Sequence, residues 1–498
     1  MMTLARFLEG GLPDAVQDLQ VSGFALDNRQ VQPGMAFIAL QGTQQHGLKF
    51  ACAAEQAGAV VVLYDPAGAD VAILQDLSIP AVAVPGLAGL LGEMAGRFYQ
   101  QPSHELSVIG VTGTDGKTSV THFIAEALNA LGNKAAVIGT IGIGRPGALD
   151  AGTHTTPDAI QVHNRLRLLA DQNFDTVAME VSSHALDQQR VNAVKFDVAV
   201  LTNLTRDHLD YHGSVAAYAA AKRRLFHWDG LKSAVLNLDD EFGLSLAAEL
   251  QGGRCQLVGY GVGEPAAYPP DTVVATDLRF DHQGISAQIS SPWGRGELQA
   301  AVLGRFNLEN LLAALAVLLV QGVDLPAALQ AIRQVKTVPG RMERVYTAGR
   351  ADDVLVVVDY AHTPGALKSV LQALKGHAAK RLICVFGCGG DRDTGKRPLM
   401  AAAAEQLADV VMVTDDNPRT ESPEQIFADI RGGFERPDVV VFEHDRARAI
   451  RKAITSARSG DVVLIAGKGH ETVQIVAQEK ISFDDRQQAL IALQECAA

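Results

Sequence analysis

From Leu106 to the C terminus, short apolar runs alternate with longer stretches in which apolar residues recur at helical spacing. The runs at 106–111, 176–181, 198–202 and 233–237 predict buried strands, and 119–131 and 306–320 predict helices between or after them. Around Thr337-Val-Pro-Gly340 the pattern restarts. Strands are predicted at 354–358, 381–386, 408–414, 438–442 and 461–466, separated by Ala-rich helical segments. Before Leu106 the pattern is less regular, with strands expected around Ala36–Leu40, Val60–Tyr64 and Ala81–Val84, and with Gln101-Pro102-Ser103 read as a linker. Strands alternating with helices imply mostly parallel sheets covered by helices. The fold class expected is α/β in three blocks, 1–103, 104–338 and 339–498.

Composition narrows the classes. At 498 residues the chain exceeds a single core, and roughly two to four domains are expected. Apolar residues at 47% and charged residues at 20% are ordinary for a globular protein. A formal charge of −13 argues against a nucleic-acid binder but leaves small anions open, because local amide nests and single lysines can hold phosphate. The five cysteines form no CxxC pair and are odd in number, which suits a reduced cytosol. No apolar run approaches the roughly 18 residues of a membrane span, and MMTLARFLEG is too soon charged for a signal peptide. A soluble cytoplasmic protein is expected, with no membrane or nucleic-acid partner.

The strand at 106–111 runs into TGTDGKTS and then into VTHFIAEALNAL. Strand, glycine loop, Lys-Thr and helix form the context of a phosphate loop. Gly113 and Gly116 let backbone N–H groups close on a phosphate, and the helix N-terminus adds positive potential. Lys117 is expected to neutralise β/γ oxygens and Thr118 or Ser119 to reach Mg²⁺. The spacing departs from GxxxxGK[ST], since Val111 occupies the first glycine position.

Two more strand ends should open on that loop. One carries Glu180, Ser182 and His184, and the other leads into LTRDHLDYH with His208. Glu180 and His208 are candidate Mg²⁺ ligands, although a carboxylate there could cap a helix and the histidines could bond to backbone. In YAAAKRRLF, Tyr218, Lys222 and Phe226 share a helical face. A lysine buried there would be a neutral amine able to take up CO₂ as a carbamate, while on composition alone it snorkels. Asn307 and Asn310 stand one turn apart and could bond adenine edges or cap the helix that follows. Near the C terminus, the strand 408–414 ends in DDNPR; the Asn-Pro pair turns the chain and sets Arg419 where open α/β sheets bind ligands. Read alone, it is a surface arginine.

Ten ordered motifs resemble the Mur ligases, the ATP-dependent amino-acid ligases of peptidoglycan stem-peptide synthesis. They are VTGTDGKTS (111–119), MEVSSHALDQQR (179–190), TNLTRDHLDYHGS (202–214), YAAAKRRLF (218–226), LGRFNLEN (303–310), VPGRMERV (338–345), DYAHTPGAL (359–367), GCGGDRDTGKRP (387–398), DDNPR (415–419) and AGKGHE (466–471). The resemblance implies an N-terminal UDP-substrate domain, a central P-loop ATPase and a C-terminal Rossmann-like amino-acid domain. It implies ATP contacts at Gly113, Thr114, Asp115, Gly116, Lys117, Thr118, Ser119, Asn307, Asn310, Arg341 and Asp359. Lys117, Glu180, His208 and Lys222 would be catalytic, with Lys222 carbamylated, and Thr118, Glu180, His208 and that carbamate would hold two Mg²⁺ ions. Leu26, Asn28, Thr43, Gln44 and Gln45 would take the uridine part, and Thr155, Thr156, Ser182, Gln188 and Arg190 the muramoyl dipeptide. Asp115 and His154 depart from asparagines usual in the family.

Family members that add meso-2,6-diaminopimelate carry DNPR, whose arginine suits a second carboxylate that lysine lacks. Arg392, Asp416, Asn417, Pro418, Arg419, Gly467 and Glu471 are therefore expected to form a diaminopimelate pocket. The reaction implied joins that amino acid to the D-glutamate of UDP-N-acetylmuramoyl-L-alanyl-D-glutamate through an acyl phosphate. A monomer acting on small molecules, with closure about Pro339-Gly340, is expected. Alternatives are the same scaffold using L-lysine or another amino acid, a folylpolyglutamate-synthetase-like ligase, a kinase, or a non-catalytic nucleotide switch.

Overall fold

The predicted buried runs become strands at Ser107–Thr112, Thr176–Glu180, Val198–Leu201 and Ser233–Asn237, because each is apolar enough to be covered on both faces. The structure, a computed structural model, describes residues 1–8, 13–42, 45–152, 154–281, 283–346 and 354–496. It divides into two compact units. One comprises Met1–Thr121, Gly132–Leu236 and Asp240–Leu257; the other comprises His122–Leu131, Asn237–Asp239 and Val258–Ala498.

In the first unit, a four-stranded parallel sheet orders Phe24–Ala25, Ala36–Ala39, Val61–Tyr64 and Ala81–Ala83. Apolar clusters cover both faces, one around Phe7, Phe24, Ile38 and Leu63 and the other around Phe37, Leu48 and Val62. The second sheet of this unit runs Ala148–Asp150, Ile143–Arg145, Ala135–Ile138, Thr176–Glu180, Ser107–Thr112, Val198–Leu201 and Ser233–Asn237. Its two outer strands, Ile143–Arg145 and Ala148–Asp150, pair antiparallel. The parallel register sets Glu180 beside Val111 and Leu201 beside Thr112, so two strand ends flank the start of the glycine loop.

Gln101-Pro102-Ser103 is not a free linker. Gln100 and Gln101 are left-handed, Pro102–His104 forms a 3₁₀ turn, and buried Ser103 accepts the Lys195 N–H at 3.0 Å. The hydroxyl's partner is distant along the chain, so a Pro-Ser pair in sequence does not reveal it.

The second unit holds a ladder absent from the sequence reading: Gln256–Val262 parallel to Thr272–Asp281, then Gly284–Ser291 and Gly294–Ala300 antiparallel. Helices Arg305–Val320 and Leu325–Ile332 follow. The C-terminal sheet orders Glu343–Val345, Val354–Asp359, Asp461–Ala466, Leu382–Phe386, Val410–Val413 and Val441–Phe442, parallel except for the first strand. Helices 364–375, 396–407 and 423–431 build the core on one face. Helices 446–456 and 485–495 build the other, the doubly wound arrangement. Among the described residues, no helix is long and apolar enough to cross a membrane.

Candidate active site

The glycine loop is shaped by what lies behind it. Gly113 has φ 148°, and a Cβ there would collide with Thr202 Oγ1. Thr114 N donates to Asn203 O at 2.9 Å, Asp115 N to Asn203 Oδ1 at 3.0 Å, and Thr202 Oγ1 to Asp115 O at 2.6 Å. Thr-Asn at the neighbouring strand end thus cradles the loop. Lys117, first residue of the helix Lys117–Ala130, folds its Nζ back onto Gly113 O (2.9 Å) and Thr114 O (2.8 Å). Gly116 is left-handed at φ 83°, and Asp115 is exposed.

Beside the loop sits Glu180, 1% exposed. Thr118 Oγ1 donates to it, lying 3.0 Å from both carboxylate oxygens; Thr140 N donates to Oε1 at 2.8 Å and Thr140 Oγ1 to Oε2 at 3.2 Å. Gly139 makes this approach possible, since a Cβ there would run into the carboxylate. Burial pushes the Glu180 carboxyl above its ordinary range, opposed by the Lys117 ammonium and by these donors. Glu180 caps no helix; Ser182 does, accepting the Ala185 N–H at 3.1 Å. The all-oxygen set of Thr118, Thr140 and Glu180 is the donor chemistry a hard divalent cation takes.

Lys222 is 1% exposed, so it does not snorkel. Its Nζ donates to Gly113 O at 2.7 Å and lies 4.4 Å from the centre of the Tyr218 ring. Burial first, and the Lys117 charge next, push its amine down to about 6, while Asp207 and Asp115 oppose the shift. Tyr218 OH meets Thr114 Oγ1 at 3.1 Å, tying this helix to the loop. His208 is exposed and left-handed at φ 52°, its Nε2 3.4 Å from Asp207 Oδ2. Its ring packs edge-on against His184 at 4.8 Å. Among the described residues no group of three His, Cys, Asp or Glu side chains is preassembled as a metal cage.

The dipeptide candidates lie next to Glu180. Thr156 Oγ1 donates to Glu180 O at 2.8 Å, Ser182 N donates to Thr156 Oγ1 at 3.1 Å, and the Thr140 and Thr155 hydroxyl oxygens lie 3.0 Å apart. Arg190 donates to Thr156 O at 3.0 Å and to Gln188 Oε1 at 2.9 Å. Farther toward the N terminus, Leu26, Asn28 and Gln45 line a cavity of about 590 Å³ with Ile38, Leu40 and Phe50. Thr43 and Gln44 lie outside the described residues.

In the second unit, Asn307 and Asn310 are buried on the helix Arg305–Val320. Neither caps it: Asn307 Nδ2 donates to Leu303 O at 2.8 Å and Asn310 Nδ2 to Asn307 Oδ1 at 3.2 Å. Asp359 accepts Met342 N and Ala361 N, both at 2.7 Å, and the Arg341 guanidinium lies 5.2 Å from the Tyr360 ring centre. The turn 415–419 meets the loop 467–471. Asp416 Oδ2 lies 2.6 Å from where a Gly467 Cβ would stand, and Asn417 Nδ2 donates to Glu471 Oε2 at 2.9 Å. Arg419, at φ 54°, donates from Nη1 to Gly390 O at 2.8 Å; Gly390 N donates to Asn417 O beside Pro418 at 2.9 Å. Arg392 is exposed on the same Gly389-Gly390 loop. Burial raises the Asp416 carboxyl, and Arg446 and Lys468 oppose the rise.

Sequence reasoning missed Gly139, Thr140, Asn203 and Lys468. Asn203 and Lys468 stood inside quoted motifs, and their polarity at strand ends was the available signal; Gly139 and Thr140 carried none.

A glycine loop on a parallel sheet, followed by a doubly wound C-terminal part, defines a multidomain α/β enzyme of the phosphate-loop type. Family models place it further: "Mur ligase family, catalytic domain" matches residues 20–99, "Mur ligase middle domain" 111–318, and "Mur ligase, glutamate ligase domain" 340–469. The chain belongs to the Mur ligase family. It is 50% identical over 481 residues to UDP-N-acetylmuramoyl-L-alanyl-D-glutamate--2,6-diaminopimelate ligase of Pseudomonas aeruginosa, covering 97% of this chain and 96% of that one. It is 49% identical to the ligase of the same name from Ectopseudomonas mendocina, with 97% of each covered. A solved structure bearing that name superposes with TM-score 0.76 at 38% identity, covering 100% of this chain and 99% of that one.

Proposed function

We propose that this chain joins meso-2,6-diaminopimelate to the D-glutamate γ-carboxylate of UDP-N-acetylmuramoyl-L-alanyl-D-glutamate, consuming ATP, in the cytoplasmic synthesis of a peptidoglycan precursor. The relatives' shared name supports the reaction. The observation that carries the choice of amino acid is the turn 415–419, where Asp416, Asn417 and Arg419 gather with Glu471. An arginine fork there suits the carboxylate that distinguishes diaminopimelate from lysine, and Asp416 and Glu471 suit its ammonium.

The domain reading that accompanies this is 1–103 for the UDP-substrate, 104–338 for ATP and 339–498 for the amino acid. Lys117 is the cation for the β/γ-phosphates, with the amides of 113–116 around them and Ser119 alongside. Asn307 and Asn310 exchange their mutual bond for adenine, and Arg341 and Asp359 face the nucleotide. Thr155, Thr156, Ser182, Gln188 and Arg190 orient the dipeptide, and Leu26, Asn28 and Gln45 the uridine. Thr118 and Glu180 fit magnesium by donor type, joined by His208 and by Lys222 once carbamylated. Bound magnesium supplies electrostatic withdrawal of charge from the transferring phosphoryl group.

The glutamyl carboxylate oxygen attacks the γ-phosphorus and ADP leaves, giving an acyl phosphate. Lys117 neutralises charge that builds on the phosphoryl oxygens. A neutral amine of diaminopimelate then adds to the acyl carbon, and phosphate departs carrying the carboxylate oxygen that attacked. Lys222, as a neutral amine, forms an N–C bond to CO₂ and releases a proton, replacing a buried amine with an oxygen donor.

The test is phosphate release from ATP and the UDP-dipeptide with each diamino acid in turn. Release with diaminopimelate and not with L-lysine is expected; equal rates refute the role of Arg419. Isotopic oxygen in the γ-carboxylate must appear in inorganic phosphate, or the acyl phosphate is wrong.

A further inference from the structure

Lys468 is fully buried at 0% exposure, where the turn 415–419 meets the loop 467–471, and no step of the reaction uses it. Its Nζ donates to Asn417 Oδ1 at 2.8 Å and to Glu471 Oε2 at 2.9 Å. These acceptors belong to different loops, one after the strand Val410–Val413 and one after Asp461–Ala466. Asn417 is itself a node. Its Nδ2 donates to the same Glu471 Oε2 at 2.9 Å, and its Oδ1 also accepts Ile475 N at 3.0 Å. Ile475 lies in the hairpin Val473–Val476 and Glu479–Ser482. That hairpin fixes Arg419, whose N–H donates to Ile475 O at 3.1 Å while its carbonyl accepts Ala477 N at 2.7 Å. One ammonium therefore connects the carboxylate-binding arginine, through Asn417 and Ile475, to the ammonium-binding glutamate.

We infer that Lys468 is a positioning residue that sets amino-acid selectivity: it locks Asn417, Glu471 and the hairpin together, so that Arg419 and Glu471 stand at one fixed separation. The chemistry supports this. Both donors to Glu471 land on Oε2, leaving Oε1 without a side-chain partner among the described residues and so available to a ligand ammonium. A buried cation held by two acceptors cannot leave without stranding them, so the separation is stiff. A ligand with a charged group at each end is selected by that separation; a ligand with one end is not.

The inference rests on the proposed diaminopimelate reaction, and wild-type enzyme tests that first: if it forms no phosphate with diaminopimelate, the functional reading fails, whatever Lys468 does. Given an active wild type, Lys468→Met keeps the length of the side chain and removes both bonds. We expect KM for diaminopimelate to rise at least tenfold, with KM for ATP and for the UDP-dipeptide within twofold. The preference for diaminopimelate over L-lysine in kcat/KM should fall by a similar factor. Lys468→Gln, which keeps a donor for one acceptor, should fall between. Unchanged diaminopimelate KM in Lys468→Met overturns the inference, as does an equal rise for all three substrates, which a merely structural role produces. If circular dichroism shows neither variant folded, the lysine is a folding element and the inference also fails.

Discussion

Replacing Lys222 with methionine should make the protein more stable and inactive, and the pH dependence of the gain is fixed by the geometry. Lys222 Nζ has Gly113 O and the Tyr218 ring as neighbours, with Lys117 as a nearby like charge and Asp207 and Asp115 as opposing charges. The amine falls from 10.5 in the unfolded chain to about 6 in the fold. Between those values the unfolded chain holds one more proton, so folding releases it and wild-type stability rises with pH. The cost is complete below the folded value and is gone above the unfolded one. At pH 7 it spans 3.5 units, or roughly 5 kcal/mol at 1.36 kcal/mol per unit. Methionine avoids that cost but loses a hydrogen bond of roughly 1 kcal/mol. A net gain of about 2–4 kcal/mol follows at pH 7, shrinking by about 2.7 kcal/mol at pH 9.

Urea unfolding of both proteins in CO₂-free buffer at pH 7, 8 and 9 measures this. Trp228 reports on the unit that holds Lys222, once Trp293→Phe silences the other tryptophan. A wild-type stability that climbs toward that of Lys222→Met as pH rises is the expected result. A gap that stays constant from pH 7 to 9 means that the folded amine is still charged, and the carbamate then loses the neutral nucleophile it needs. Bicarbonate should raise wild-type activity and leave the variant inactive.

Arg419→Ala should cost about 2–5 kcal/mol in kcat/KM for diaminopimelate and leave the low rate with L-lysine nearly unchanged, measured as phosphate release with each amino acid. Gly139→Ala should displace the Glu180 carboxylate from Thr118 and Thr140, lowering kcat while ATP binding by calorimetry stays within a few-fold. Glu180→Gln removes the charge and keeps the shape, so the magnesium concentration for half-maximal rate should rise; an unchanged magnesium dependence removes Glu180 from the cation site.

What the sequence disclosed was chemistry that is local along the chain. The glycine loop is readable because its strand, its glycines and its helix start are contiguous, and the strand register then brings Glu180 and Asn203 to it without further information. Burial is not local. Lys222 followed by Arg223 and Arg224 looks like a snorkelling lysine, and only its burial in the fold, with the Lys117 charge nearby, pushes its amine down. The ladder from Thr272 to Ala300 escaped for a related reason: beyond the short buried run Thr272–Ala275, its strands mix buried and exposed positions and lack the longer apolar runs that marked the parallel strands. Gly139 shows the limit most sharply. Nothing around it in sequence refers to Glu180, yet its missing side chain is the space that the carboxylate occupies. Charged residues that a motif sets at a strand end or loop were therefore legible, Lys468 excepted, while whether a charge is kept, shifted or aimed is defined by contacts between segments distant in the chain. The same division separates Arg419, which a motif reveals, from Lys468, which acquires meaning only when Asn417, Glu471 and Ile475 are seen to meet around it.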